Sequence, residues 1–411
     1  MSTRGSGLGI PRPRIKVDGP LAPYAAGWRA ELAARGYARG PAAGQMRLME
    51  HLSRYLDERG LAVADLTGQV AEGFLAERRA AAHLALASLR ALGPLLGYLR
   101  GIGAAPGLAG QVAGSPREVL LEAYRACLAG ERGLAPQSVR SYLGTARAFL
   151  PGLTADVPGA GLENLSAGQV ASFVIRATQG RSPASAKVTV TGLRSLLRYL
   201  HVEGLVPAPL AQAVPPAAGW KLSSLPRALE PAKVASLLAA CDRRTVTGRR
   251  DYAVLMVLAR LGLRGCEVAA LELDDIDWRA GELVIRGKGN RLERMPLPGD
   301  VGEALAAYVT GGRPRCNCRR LFIRATAPRE GLSPSLARNV VAGAAARAGL
   351  GRIGAHRLRH TLASEMLRHG APLTEIGQVL RHRDPLTTAI YAKADQGALR
   401  ALARTWPGGA A

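Results

Sequence analysis

Six residues in the last part of this 411-residue chain have the types that phosphodiester chemistry asks for. They are Arg264 in LGLRGCEVAAL, Lys288 in RGKGNR, His356 and Arg359 in AHRLRHTLASEML, and His382 and Tyr391 in LRHRDPLTTAIYAKAD. Breaking a phosphodiester takes a nucleophile, compensation for charge building on the non-bridging oxygens, and a proton for the departing 5′ oxygen. Arginine suits the second task because its planar fork donates two parallel hydrogen bonds to phosphate oxygens. Arg264 and Arg359 can serve together. His356 and Arg359 lie three apart in a helical pattern, so both are expected on one face toward phosphate, while Leu358, Leu362 and Met366 bury the other.

Lys288 falls beside the expected tip of a β-hairpin, where a long side chain can reach into a groove. Lysine is scarce, with six in the whole chain, which favours a use for a titratable ammonium such as general acid. Taken alone, the position reads first as a solvated turn lysine. Four of the seven histidines, His356, His360, His369 and His382, fall between Ala355 and His382. Singly, each reads as a helix-surface or capping residue. Tyr391 is one of ten tyrosines, and its phenol, with an ordinary pKa of about 10, needs base help or positive surroundings to attack at neutral pH. Asp384 and Pro385 look like the N-cap and first residue of a helix that presents Tyr391 about two turns later.

The elements that must position these residues divide the chain. Residues 1–20 are rich in Gly, Pro, Arg and Lys without apolar period and read as a flexible basic leader; no apolar stretch follows, so it does not read as a signal peptide. LLGYLRGIGAAP (Leu95 to Pro106) and LLRYLHVEGLVP (Leu196 to Pro207) match in register. Each follows a shorter likeness, ADLTGQVAEGFL and ENLSAGQVASFV, in which Thr67 and Ser166 read as helix N-caps. These are two related helical domains, at 21–110 and 111–210, the first a possible duplicate of the second. In the second, QSVRSYLGTARAFL forms an amphipathic helix with Arg140 and Arg147 on its polar side. A proline-rich linker at 211–228 precedes a last domain at 229–411. There, helical patterns give way to LELDDIDW, GELVIRGKG and RLERMPLP, short β-rich runs with a Gly-Asn turn at Gly289 and Asn290. The fold class is mainly α with one small antiparallel sheet in the last domain (α+β).

Composition points the same way. A formal net charge of +24 and a pI of about 10.9 call for an extended polyanionic partner, with DNA the first choice, although a bias toward Arg, Ala and Gly contributes to the charge. Five scattered cysteines suit reduced thiols, and the lone Cys316-x-Cys318 lacks the two further ligands of a structural zinc site. No apolar run reaches membrane-spanning length, so the expectation is a cytoplasmic, nucleoid-associated protein without a membrane partner.

From about Leu229 to Trp406 the chain resembles the catalytic domain of the tyrosine recombinase or phage integrase family, and within it the Xer recombinases and the transposon or phage integrases. LGLRGCE resembles the family's first-arginine motif, HRLRH its His-x-x-Arg motif, and RHRDPLTTAIY its closing motif. The resemblance implies that Tyr391 attacks the scissile phosphate to give a 3′-phosphotyrosine and a free 5′-hydroxyl. Arg264, Arg359, His356 and His382 would bind and activate the phosphate, and Lys288 would protonate the leaving oxygen. It implies no metal and no cofactor. It further implies that Glu267 orients Arg264 and that His360 stands behind the reacting groups. The second helical domain resembles the family's core-binding bundle. The segment QGALRALARTW would be a helix linking protomers into a tetramer on paired DNA sites, with a directionality factor or partner recombinase as possible additions. The family usually has Gly where Arg381 stands, a position suited to a left-handed helix end, so Arg381 either alters the local geometry or adds a phosphate contact. The expected function is site-specific recombination that integrates or excises a mobile element. Chromosome-dimer resolution is the alternative pathway, type IB topoisomerase-like relaxation would act on plasmid lacking any site, and a non-catalytic DNA-binding protein would have no use for the nucleophile.

Overall fold

The computed structural model describes residues 15–82, 85–107, 115–150, 161–217, 228–287, 291–382 and 384–392. These are mostly helical, with one three-stranded antiparallel sheet in the order β1-β2-β3, as the sequence leads one to expect. Two compact units form, one from Met1–Pro106 together with Ser224–Ala411, the other from Gly107–Ser223. The first helical bundle thus groups with the last part of the chain, though it has a core of its own. Within that unit the Arg329 N–H donates to the Arg35 carbonyl at 2.9 Å. No helix among the described residues is long and apolar enough to cross a membrane.

The first bundle contains α1 (Ala25–Ala34), α2 (Arg39–Asp57), α3 (Gly68–Ala80) and α4 (Leu89–Gly101). Trp28 of α1 packs against Tyr98 of α4 with ring centroids 5.3 Å apart, and Tyr55 of α2 meets Phe74 of α3 edge-on at 5.4 Å. Thr67 caps α3, its hydroxyl accepting the Val70 N–H. The end of the expected leader is no flexible tail. Val17 and Leu21 are buried in this core, and the Ser53 hydroxyl accepts the Leu21 N–H while donating to the Asp18 carbonyl.

The second bundle contains α5 (Pro116–Ala126), α6 (Pro136–Phe149), α7 (Ala167–Thr178) and α8 (Pro183–Val202). Tyr124 and Tyr199 pair at 5.1 Å, Phe149 and Phe173 meet edge-on at 5.0 Å, and Ser166 caps α7. Val139, Leu143, Ala146 and Phe149 bury one side of α6, leaving Arg140 and Arg147 exposed on the other. This bundle runs past its expected boundary, because Ala211 and Val214 of the proline-rich stretch pack into its core. Apolar side chains decided that over the local lack of periodicity.

The last part of the chain is built around α10 (Val246–Arg260), whose Val254, Leu255, Val257 and Leu258 are buried on all sides, as a helix in the centre of a core must be. Around it lie α9 (Pro231–Ala239), α11 (Gly265–Ala270), α12 (Gly299–Gly311), α13 (Pro334–Arg347), α14 (Ala355–Arg368), α15 (Leu373–Val379) and α16 (Pro385–Thr388). The strands are β1 (Ile276–Asp277), β2 (Glu282–Arg286) and β3 (Leu292–Pro296). Leu283 and Ile285 of β2 point into the core with the period of two that a one-sided sheet requires. β2 and β3 pair from Glu282↔Pro296 to Arg286↔Leu292, giving the expected hairpin. Its tip, with Lys288, lies outside the described residues, as do QGALRALARTW and residues 1–14.

Candidate active site

Arg264 stands at the head of α11, and Glu267 one turn later grips it twice. One carboxylate oxygen accepts the Arg264 backbone N–H at 2.8 Å, the other its guanidinium at 2.6 Å. Burial pushes the Glu267 carboxyl up, but the Arg264 N–H and the Arg381 and Arg264 guanidinium groups outweigh it and hold the pKa below the usual range. The carboxylate is therefore charged, and it fixes an arginine whose side chain remains 38% exposed. Arg264 can still receive an anion.

Arg359 departs from the expectation that it shares an open face with His356. Its guanidinium is buried, donating to the Gly262 and Leu380 carbonyls, whereas His356 is exposed. α14 is packed against α10, α13 and α15, so a residue three positions on turns inward. Burial, then the Arg264 and Arg381 charges, lower the Arg359 pKa to about 10, which leaves it a cation at neutral pH. Gly262 was not singled out in the sequence. Its backbone is left-handed (φ 59°), and a Cβ there would come within 2.9 Å of Leu380 and 3.0 Å of Leu362, so only glycine lets the carbonyl reach Arg359. The signal was available as the Gly two residues before the arginine in LGLRG.

The histidines and Tyr391 complete the cluster. His356 and His360 lie edge to face at 4.4 Å, and the Tyr391 hydroxyl sits 2.9 Å from His360 Nδ1. Tyr391 is buried at 1% exposure; burial raises its pKa and Arg359 pulls against it. Burial and the neighbouring positive groups lower His360 and His382 to about 4 each, and His356 also shifts down, so all three rings are neutral at neutral pH. A neutral His360 can accept from the phenol. His382 Nδ1 lies 2.8 Å from the hydroxyl of buried Thr388, a partner the sequence did not reveal. Asp384 caps α16 with Pro385 in its first turn, as expected, but the helix ends at Thr388 and Tyr391 follows in turns rather than on it.

Arg381 is where glycine was expected, and its backbone is left-handed at φ 54°. The Arg381 N–H donates to the Gln378 carbonyl and the His382 N–H to that of Gly377, each at 2.9 Å, the Schellman pattern that closes a helix. A side chain in this conformation costs about 1–2 kcal/mol over glycine. The guanidinium does not face solvent as a phosphate contact would. It is 8% exposed and pairs with Glu267 at 3.0 Å and Glu293 at 3.7 Å. Arg140 and Arg147 belong to the other unit, on the exposed side of α6.

The described part of the site thus gathers two arginines, three neutral imidazoles and a phenol. Positive charge exceeds the single buried carboxylate that answers it, which suits an anionic group held beside a nucleophile. Among the described residues no group of three or more His, Cys, Asp or Glu is placed to share a metal ion.

The class of protein follows. Residues 227–397 match the model of the phage integrase family, and residues 121–204 match that of the phage integrase N-terminal SAM-like domain. The chain belongs to this family: it is a tyrosine-type site-specific recombinase, an enzyme that breaks and rejoins DNA. A protein of Sinorhizobium fredii named as an integrase/recombinase, y4rA, is 42% identical over 395 residues, covering 95% of this chain and 96% of its own. Tyrosine recombinase XerD of Pseudomonas putida is 31% identical over 290 residues, 69% of this chain and 95% of that one. The XerH site-specific recombinase, solved in a post-cleavage complex with palindromic difH substrate, shares the fold with a TM-score of 0.58 at 19% identity, over 73% of this chain and 87% of that one.

Proposed function

We propose that this recombinase integrates and excises a mobile element through a 3′-phosphotyrosine at Tyr391. The phenol oxygen attacks the scissile phosphate, the bond to the 5′ oxygen breaks, and Lys288 supplies the proton that this oxygen takes. Arg264 and Arg359 hold the non-bridging oxygens, with His356 and His382 beside them. The observation that carries the reading is the Tyr391 hydroxyl 2.9 Å from a neutral His360, next to the two arginines. His360 is the nearest base for the phenol proton.

Exchange between two duplexes needs four strand cuts, and each protomer offers one nucleophile, so a tetramer on paired DNA sites is the working assembly. It would act in the nucleoid, with or without a directionality factor. The second bundle clamps the core site. The first bundle is a duplicate of it, since the residues matched in sequence make matching aromatic pairs and caps. Mobile-element work is favoured over dimer resolution because the integrase/recombinase relative matches over 95% of the chain, the XerD relative over 69%.

The test is a nicked suicide substrate carrying the element's ends, incubated with wild-type and Tyr391→Phe protein and run on a denaturing gel. Wild type alone should form the protein–DNA adduct. An adduct from both proteins would move the nucleophile elsewhere, and none from either while both bind DNA would reject cleavage of these ends.

A further inference from the structure

Three arms of the catalytic half meet at one side chain that the chemistry above does not use. Arg381 follows the helix α15 and immediately precedes His382. Its carbonyl accepts from the Arg264 guanidinium at 3.4 Å, and its own guanidinium donates to Glu267 at 3.0 Å. Glu267 is the carboxylate that fixes Arg264. On its far side Arg381 faces β3, with Glu293 at 3.7 Å and the Met295 sulfur at 3.5 Å, and β3 pairs with β2 along its length.

The position itself asks for glycine, being left-handed and in the residue after a helix C-cap. The arginine also buries a charge, and its Nε reaches the Glu293 carboxylate only at 3.7 Å, beyond hydrogen-bond distance. Backbone strain and a buried, incompletely bonded guanidinium both oppose folding, and such features persist only where surrounding contacts over-determine them. A helix cap needs neither. What the arginine adds is a link from the first-arginine segment and the closing segment to the hairpin.

We propose that Arg381 is a positioning residue that locks Arg264, His382 and the β2–β3 hairpin into one frame, through Glu267 and Glu293, without touching DNA. This rests on the roles proposed above for Arg264 and His382. Glycine at 381 would keep the helix end and relax the strain, yet leave Glu267 answering one arginine and Glu293 of β3 without its arginine. The reacting groups would then lose alignment while the surface that binds DNA stays the same.

The experiment is single-turnover cleavage of the nicked suicide substrate by wild type, Arg381→Gly and Arg381→Lys over a range of protein concentrations, giving a maximal rate and a half-saturation point. Arg381→Gly should fold, and its maximal rate should drop about ten- to a hundredfold, the scale of a small misalignment, with half-saturation within about twofold of wild type. Arg381→Lys keeps the charge and should recover part of the rate. A wild-type maximal rate in Arg381→Gly would reduce the residue to a helix cap. A defect in half-saturation with a shallower salt dependence would make it a phosphate contact, and either result overturns the proposal. Should wild type itself form no adduct, it is the Tyr391 reading that fails, and the two failures are told apart by that control.

Discussion

The two helical bundles have the same interior and different outsides. In each, an aromatic residue of the first helix packs at a tilt against the tyrosine of an LLxYL run, Trp28 on Tyr98 and Tyr124 on Tyr199. Each also has an edge-on aromatic pair between its second and third helices. The chain leaves each last helix alike: the Leu99 carbonyl accepts from Ala104 and Ala105, that of Leu200 from Leu205 and Val206, and Gly103 and Gly204 are both left-handed. The surfaces part company. With the buried positions of α2 and α6 aligned, exposed Arg140 and Arg147 correspond to buried Met46 and Ser53, and Ser53 is covered by the segment from Val17 to Leu21. Along the last helices, Arg194 and Arg198 correspond to Gly93 and Gly97. A repeated core preserves packing, which fixes volume and shape, but sets no condition on the charge outside it.

The largest effects should come from the shared interior. Trp28→Ala and Tyr124→Ala should each destabilise their own bundle by about 3–5 kcal/mol, read by denaturant unfolding. If one of the two is tolerated at under about 1 kcal/mol, the cores are not equivalent. The outsides should separate next. Arg140→Ala with Arg147→Ala should weaken DNA binding and reduce the slope of log affinity against log salt by about 2, while Arg47→Ala with Arg54→Ala, exposed on α2, should leave that slope unchanged. Equal slopes in both double variants would mean that the first bundle grips DNA as the second does. The caps give the finest test. Thr67→Ala and Ser166→Ala should cost about 1 kcal/mol each, with Ser166 the larger because its hydroxyl also donates to Gln169 Oε1 at 3.0 Å. A larger loss at Thr67, measured by thermal unfolding, would reverse that order.

Much of the site was legible because its signals are local. Arg264 with Glu267 three residues on, Asp384 with Pro385, and the caps Thr67 and Ser166 are patterns complete within one helical turn, and the structure realises each as written. The hairpin likewise follows from alternation and a Gly-Asn turn. His356 and Arg359 mark where such reading stops. Their spacing fixes the angle between them but not which of the two turns toward the core.

The sequence by itself determined the helical character of the chain, the small sheet and the likeness of the two LLxYL runs, because residue type and period need no partner to be read. Only the tertiary structure decided that Arg359 is buried against the Gly262 and Leu380 carbonyls, that Tyr391 rests on His360, that Arg381 turns to Glu267 and Glu293, and that residues 17–21 cover α2. Each of those contacts joins segments far apart in the chain. Which distant groups meet is set by how the apolar faces pack together, and a charged side chain then takes whatever acceptors that packing brings within reach.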